Sequence, residues 1–343
     1  MTTIGSIARR TGRRFVSSLP ALLGVVIFTF ILMRVLPGDP AIFFASGPNA
    51  GQAEIEDLRR QMGLDKPIPQ QLVLYLRDIA TGNLGRSLTT GQPVLADIRQ
   101  RLPASLELTL TALTLALLLA IPLGIAAALR PGSLVDHAVR FACTLGVCVP
   151  TFVSGLLLIY VFYYLLGWAP DPTGRLDIFT SPPPRLTGFL MIDSLFARDG
   201  EVARAAASQL VLPAVTMALF VLAPLARMTR ASMLAVLSSD YIRTAEAMGL
   251  SRARITIVYA LRNALLPVLT IAGIVFSTML GANVLVEKVF SWPGVASYAL
   301  DALLSADYAP VQGFVLLMAS IFVIVNLTID VLYGLADPRI GIE

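Results

Sequence analysis

Few side chains in this 343-residue chain could carry covalent chemistry. Asp136 stands beside His137, the sole histidine, and such a pair can act as a general base. Spacing assigns it no serine or cysteine partner, so a surface-turn histidine is the expected reading. Cys143 and Cys148 lie five apart in an apolar stretch, which turns them by roughly 140° on a helix. They face apart, an intrahelical disulfide is not expected, and one histidine gives a zinc cluster little support. Both thiols read as small packing groups. Glu107, Glu287 and Asp330 sit at the edges of apolar stretches, where carboxylates serve anchoring or helix pairing more readily than a proton relay. A substrate-path role stays open for them, and Asn326, one turn before Asp330, could bond across helices.

Lysine is confined to Lys66 and Lys288, preceded by Asp65 and Glu287, so the Gly-x-x-x-x-Gly-Lys-Ser/Thr loop that cradles nucleotide phosphates is absent. No catalytic, cofactor-binding or metal-ligating set is expected in this chain, and no set of path-lining residues stands out. If the chain takes part in ATP-driven work, ATP and its Mg must sit on a separate subunit.

The elements around these residues are set by composition. The chain is 56% hydrophobic and 14% charged, with a mean hydropathy of +0.76, too apolar for an ordinary soluble domain. About 20 apolar residues cross a bilayer core as a helix. Six stretches without a charged side chain reach that length: Phe15 to Met33, Leu108 to Leu129, Phe141 to Pro170, Ala205 to Ala226, Asn263 to Val286 and Tyr308 to Ile329. They do not alternate as barrel strands do, and hydrocarbon forbids unpaired backbone groups, so the expectation is an all-α polytopic membrane protein with six transmembrane helices. Pro20, Pro122 and Pro213 fall inside spans and require neighbours to satisfy the freed carbonyls.

Arginine sets the orientation. Arg9, Arg10, Arg13 and Arg14 precede span one, Arg130 and Arg140 flank the second connection, and Arg227, Arg230, Arg243, Arg252, Arg254 and Arg262 fill the fourth. These segments are expected to be cytoplasmic, as are both termini. The segment from Gly38 to Ala104 balances seven basic against seven acidic residues and is expected to face outward. The net charge of +4 and the pI near 9.3 follow from arginines at membrane edges, with no nucleic-acid motif. A cleaved signal peptide is the minor reading of the N-terminus, because its apolar run is long and no Ala-x-Ala site follows.

The expected order is a cytoplasmic N-terminus (1–14), TM1 (15–36), a periplasmic insertion (37–104), TM2 (105–129), TM3 (138–167), a periplasmic loop (168–204) and TM4 with a cytoplasmic extension (205–237). A cytoplasmic coupling loop (238–262), TM5 (263–288), a periplasmic loop (289–307), TM6 (308–333) and a cytoplasmic C-terminus (334–343) follow. Three helical patterns lie in the insertion: Ile55, Leu58 and Met62; Leu72, Tyr75, Leu76 and Ile79; Ile98 and Leu102. Such faces either cover the outer span ends or form a landing surface for an extracytoplasmic protein.

The connection from Arg227 to Arg262 is the most distinctive. Ser238, Ser239 and Asp240 offer caps for a new short helix, Thr244, Ala245 and Ala247 keep its surface small, Gly249 can end it in a left-handed turn, and Ser251 can cap the next helix. Pro267 is expected to mark entry into span five. A short helix of small bulk can insert into a groove on a partner; an ordinary helical connector is the plain alternative.

At these residues the chain resembles a known family. Residues 240–267, DYIRTAEAMGLSRARITIVYALRNALLP, are similar to the cytoplasmic loop of permeases of dipeptide and oligopeptide (peptide/nickel) ABC importers, B type. Leu36-Pro37-Gly38-Asp39-Pro40, Met62 to Pro67, Asn83 to Ser87, Thr187-Gly188-Phe189, Glu287 to Gly294, Asp330 to Gly334 and Asp337-Pro338-Arg339 resemble that family in the same order, so the similarity covers nearly the whole chain. It implies a type I importer permease fold and a permease subunit for short peptides. The implied partners are a homologous second permease, two ATP-binding subunits, an extracytoplasmic solute-binding protein and membrane lipid, with no nucleic acid. It also implies ATPase coupling through Arg243, Thr244, Ala245, Glu246, Ala247, Met248, Gly249 and Leu250, with spans four and five rocking as a unit. Arg243 stands where many importers begin this motif with glutamate, and Glu246 and Met248 where peptide permeases often carry basic residues. Nickel chelate, glutathione or D-amino-acid dipeptides are alternative cargoes. An ion-coupled secondary transporter would need carboxylates or broken helices at mid-membrane, and a membrane-embedded enzyme would need a constellation that the chain does not offer.

Overall fold

A computed structural model describes residues 3–35, 40–45, 51–177 and 179–336. Most of the Leu36–Pro40 motif and all of Asp337–Arg339 lie outside the described residues. In chain order the helices are α1 (Thr3–Val35), α2 (Pro40–Phe44), α3 (Gln52–Gln61), α4 (Ile68–Ala80), α5 (Val94–Leu129), α6 (Leu134–Cys148), α7 (Thr151–Leu158) and α8 (Leu190–Phe196). There follow α9 (Gly200–Leu237), α10 (Asp240–Ala247), α11 (Arg252–Arg254), α12 (Arg262–Val289), α13 (Val295–Leu304) and α14 (Tyr308–Ala336). Two π-helical segments are inserted, Ile159–Leu165 after α7 and Ile255–Leu261 between α11 and α12. The described chain is all-helical apart from its connections and one isolated bridge, Arg86 to Pro93.

Five helices are long and apolar enough to cross a membrane, and a bent pair, Leu134–Gly146 with Thr151–Leu165, passes the same test only when its two arms, turned by 98°, are taken together. The unbroken third span expected over 138–167 is therefore corrected. Pro150 has no N–H to donate and forces the residue before it out of the helical region, and Val149 accordingly sits at φ −89°, ψ 123°. Other boundaries also move. Helix α5 begins at Val94, so Ile98 and Leu102 belong to the N-terminal extension of span two and form no separate helix. Helix α9 begins at Gly200, where the Asp199 carboxylate accepts from the N–H groups of Glu201 and Val202. Span five is helical from Arg252 onward, through the π segment, with Pro267 well inside it.

The core of the bundle is α5 against α9, allowed by small residues four apart. Ala112, Ala116, Ala120 and Gly124 lie buried along α5, and Ala206, Ala214 and Ala218 along α9. A Cβ added at Gly124 would meet Thr229 Cβ at 2.6 Å and the Ala226 carbonyl at 2.9 Å, so the two backbones touch there. In hydrocarbon, where burial of apolar surface gives no drive between helices, such close van der Waals contact is the main source of cohesion. Helix α9 is the most enclosed span, 61% of its apolar window being buried, whereas no residue of the equivalent window of α14 is fully buried. Helices α1 and α14 pair at the side, and Arg14 of α1 forms an ion pair with Asp330 of α14.

The insertion covers the end of a span, one of the two roles its helical faces allow. Gln71 of α4 accepts from Arg34 Nε at 2.9 Å, and Tyr75 stacks on Phe30 with ring centroids 5.3 Å apart, so α4 rests on the end of α1. Its other side leaves Ile68 and Val73 exposed. Pro103 inside α5 deprives the Arg99 carbonyl of its helical partner, and Arg185 Nη2 fills the gap, donating to the carbonyls of Arg99 and Gln100 at 3.1 and 2.8 Å.

Candidate functional site

The ends of three spans meet around α10. Ile242 and Ala245 on its inner side are buried with Ala128 at the end of α5, Met233 near the end of α9, and Ile255, Ala260 and Ala264 at the start of span five. Ser239 holds the N-cap position, but its hydroxyl bonds back to the Val236 carbonyl at 2.6 Å and leaves the helix N–H groups uncapped by side chain. The other end is closed fully. Gly249 has φ +74°, its N–H donates to the Glu246 carbonyl at 2.9 Å, and the Leu250 N–H donates to the Ala245 carbonyl at 3.3 Å. This pair of bonds is the Schellman motif, which only a residue at ease in the left-handed region completes without strain. Ser251 then caps the Arg254 N–H at 3.4 Å.

The eight coupling candidates are divided by this geometry. Arg243, Thr244, Glu246, Ala247, Met248 and Gly249 are exposed, Leu250 is half-buried, and Ala245 points into the chain, where it anchors the helix and presents nothing outward. The exposed surface is not as bare as Thr244 and Ala247 suggest, because Met248 is 73% and Tyr241 44% exposed. The apolar anchoring also includes span two, since Ala128 shares the cluster with residues of spans four and five.

The same face of the bundle holds an ion pair that the sequence does not announce. Asp136 is 1% exposed and accepts from Arg230 Nε and Nη2, both at 2.7 Å, and from the Gly132 N–H at 3.0 Å. The connecting turn before span three is thereby fastened to α9. Arg230→Ala, which strands a buried carboxylate, is expected to lower the melting temperature of the detergent-solubilised chain more than Asp136→Asn. His137 accepts from Arg140 Nη2 at its Nδ1 (2.7 Å) at the surface, and Cys143 is buried while Cys148 is exposed.

At the opposite ends of the spans lie the carboxylates. Glu287 is wholly buried, and its Oε1 accepts from Ser105 Oγ at 2.5 Å and its Oε2 from the Ser297 N–H at 2.7 Å. Glu107 is buried too, paired with Arg175 at 2.5 Å and accepting from the Met191 N–H at 2.8 Å. The edge positions read from sequence are thus interior ones, where each carboxylate ties loops to span ends. Asp307 takes Ser87 Oγ and the N–H groups of Leu88 and Thr89 on one oxygen, fixing the Asn83–Ser87 motif to the start of α14. Among the described residues no group of three or more His, Cys, Asp or Glu side chains is arranged to hold a metal.

An all-helical bundle with five or six apolar crossings defines a polytopic membrane protein. Residues 120–342 match the family described as binding-protein-dependent transport system inner membrane component, and residues 8–109 match that family's N-terminal membrane component. The chain belongs to this family of inner-membrane transport subunits. It is 44% identical over 335 residues to a di/tripeptide transport system permease protein of Pseudomonas aeruginosa, covering 97% of this chain and 98% of that one. It is 43% identical over 318 residues to a probable D,D-dipeptide permease protein of Escherichia coli K12, covering 93% of each. A dipeptide permease protein of the same organism is 40% identical over 333 residues, 96% of this chain and 97% of that one.

Proposed function

We propose that this chain is one of two homologous permease subunits of an ATP-driven peptide importer and forms half of the translocation path for short peptides. The observation that carries the reading is full-length similarity to three peptide permeases at 40–44% identity. In this reading the arginine-rich face is cytoplasmic and both termini lie there. Of the two ATP-binding subunits, which hold ATP and Mg, one docks on the exposed side of α10 through Arg243, Thr244, Glu246, Ala247 and Met248, while Ala245, Gly249 and Leu250 set the shape of the helix. Closure of the ATPases presses on α10, and the apolar cluster beneath it moves the inner ends of spans two, four and five together. An extracytoplasmic binding protein delivers peptide to the outer surface that includes α3 and α4. The chain itself carries out no covalent step. Cargo choice between ordinary and D,D-dipeptides is left to the binding protein, since relatives named for each are almost equally similar.

The test is uptake of a radiolabelled dipeptide into sealed vesicles that hold the chain with its second permease, ATPases and binding protein. Uptake is expected to need ATP and every partner. Deleting residues 52–79 is expected to abolish the stimulation of ATP hydrolysis by the binding protein. Vectorial transport by the purified chain alone would overturn the reading.

A further inference from the structure

Tyr241 and Asn263 form a contact distinct from the apolar packing of α10. Asn263 Nδ2 donates to Tyr241 Oη at 2.9 Å and to the Tyr259 carbonyl at 3.0 Å. Among the described residues no other side-chain hydrogen bond joins α10 to a membrane span: Thr244 bonds within the helix, as does the Arg243 and Asp240 pair. The second acceptor matters as much. Tyr259 lies in the π segment Ile255–Leu261, where backbone bonds close five residues on instead of four. The Asn263 side chain reaches that carbonyl from four residues further on. Asn263 therefore bridges three things at once: the coupling helix, the last turn of the π segment, and the start of α12.

The surrounding contacts give this bridge a direction. Ile242 and Ala245 rest on Met233, Ala128 and Ala264 through apolar surface, which resists separation but tolerates sliding. A hydrogen bond is directional and fixes one atom against another. We infer that Asn263 is a positioning residue that passes displacement of α10 specifically to span five, with the π segment as the compliant turn it braces. This rests on the proposed docking of ATPases at α10 and adds the route by which their motion enters the membrane.

The experiment uses the complete importer in vesicles and reads three quantities: ATPase copurification, basal ATP hydrolysis, and dipeptide moved per ATP. Tyr241→Phe and Asn263→Ala are expected to leave the first two at wild-type level and to lower the third by about two- to tenfold, the range that one hydrogen bond supports. The double variant is expected to be no worse than Asn263→Ala alone, as for two partners in one contact. Asn263→Asp separates the two bonds, because its carboxylate can accept from the Tyr241 hydroxyl but cannot donate to the Tyr259 carbonyl. It is expected to recover the share of coupling that the Tyr241 contact carries and to keep the loss that comes from the unbraced π segment. Wild-type peptide per ATP in both single variants overturns the inference, as does an Asn263→Asp defect equal to that of Asn263→Ala beside a harmless Tyr241→Phe. Failure of the ATPases to associate with the unaltered chain through α10 overturns the docking reading itself, a result separate from normal association with unaltered coupling.

Discussion

Gly294→Ala is expected to leave little folded chain in the membrane. A methyl group at position 294 would occupy the space already held by the Glu287 carboxylate, which is wholly buried and has no open side into which to withdraw. That carboxylate is the knot of the end of the bundle opposite α10. Ser105 Oγ donates to it and in turn accepts from the Val295 N–H at 2.9 Å, while Trp292 Nε1 donates to the Ala104 carbonyl at 2.9 Å beside it. Span two, span five and α13 are joined through this set. Moving Glu287 would orphan the Ser105 hydroxyl and the Ser297 N–H, each at about 1–3 kcal/mol, and leave a buried carboxyl group without its partners. Together these costs approach the whole stability of a typical domain, about 5–15 kcal/mol. Yield of monodisperse protein and its melting temperature in detergent provide the measurement. Glu287→Gln, which keeps the shape and one acceptor oxygen, is expected to be milder. A Gly294→Ala chain with wild-type melting temperature and transport would show that the knot has slack the packing does not reveal.

How much of the fold and of the coupling face is legible in the sequence depends on the range of the interaction. Crossings are legible because the lipid requirement is written locally: a run such as Leu113 to Ala128 with no charge fits little besides a membrane helix. The end of α10 is legible for the same reason, since Gly249 after a helical pattern is a local signal. The bend at Pro150 is also written locally but is masked by the apolar length of the stretch around it, although a residue before proline is steered out of the helix. The small residues at 112, 116, 120 and 124 announce the close packing of α5 by their spacing, a signal that hydropathy alone does not carry. Glu287 is different in kind. Ser105 is 182 positions away, and a carboxylate at the edge of an apolar run looks the same whether it meets headgroups or a pocket of donors. Glu107 likewise meets Arg175 across 68 positions, and Asp136 meets Arg230 across 94. Pairs at that distance follow from the fold and have no signature before it.

The same separation of local from distant effects governs Gly249. Gly249→Val is expected to leave the chain inserted and its spans packed, and to weaken its association with the ATPase subunits. No atom outside its immediate neighbours lies within 4 Å of the position where a Cβ would stand, so the substitution meets no steric block and cannot disturb the core directly. Its cost is conformational. At φ +74° a side chain is strained by about 1–2 kcal/mol, and a β-branched one is a genuine outlier. Helix α10 has eight residues, too short to hold its shape without help. Without the left-handed turn the two closing bonds to Glu246 and Ala245 are lost, the last turn frays, and Met248 leaves the place where it stands exposed. A loss of this size weakens docking by about tenfold or more, at about 1.4 kcal/mol per decade. Gly249→Asn is the discriminating control, because asparagine tolerates the left-handed region and is expected to retain most of the association. Copurification of the ATPases in mild detergent, read beside membrane insertion, separates a damaged helix end from a chain that never folded. Normal association and transport in Gly249→Val would mean that α10 is a connector and that force enters the membrane elsewhere.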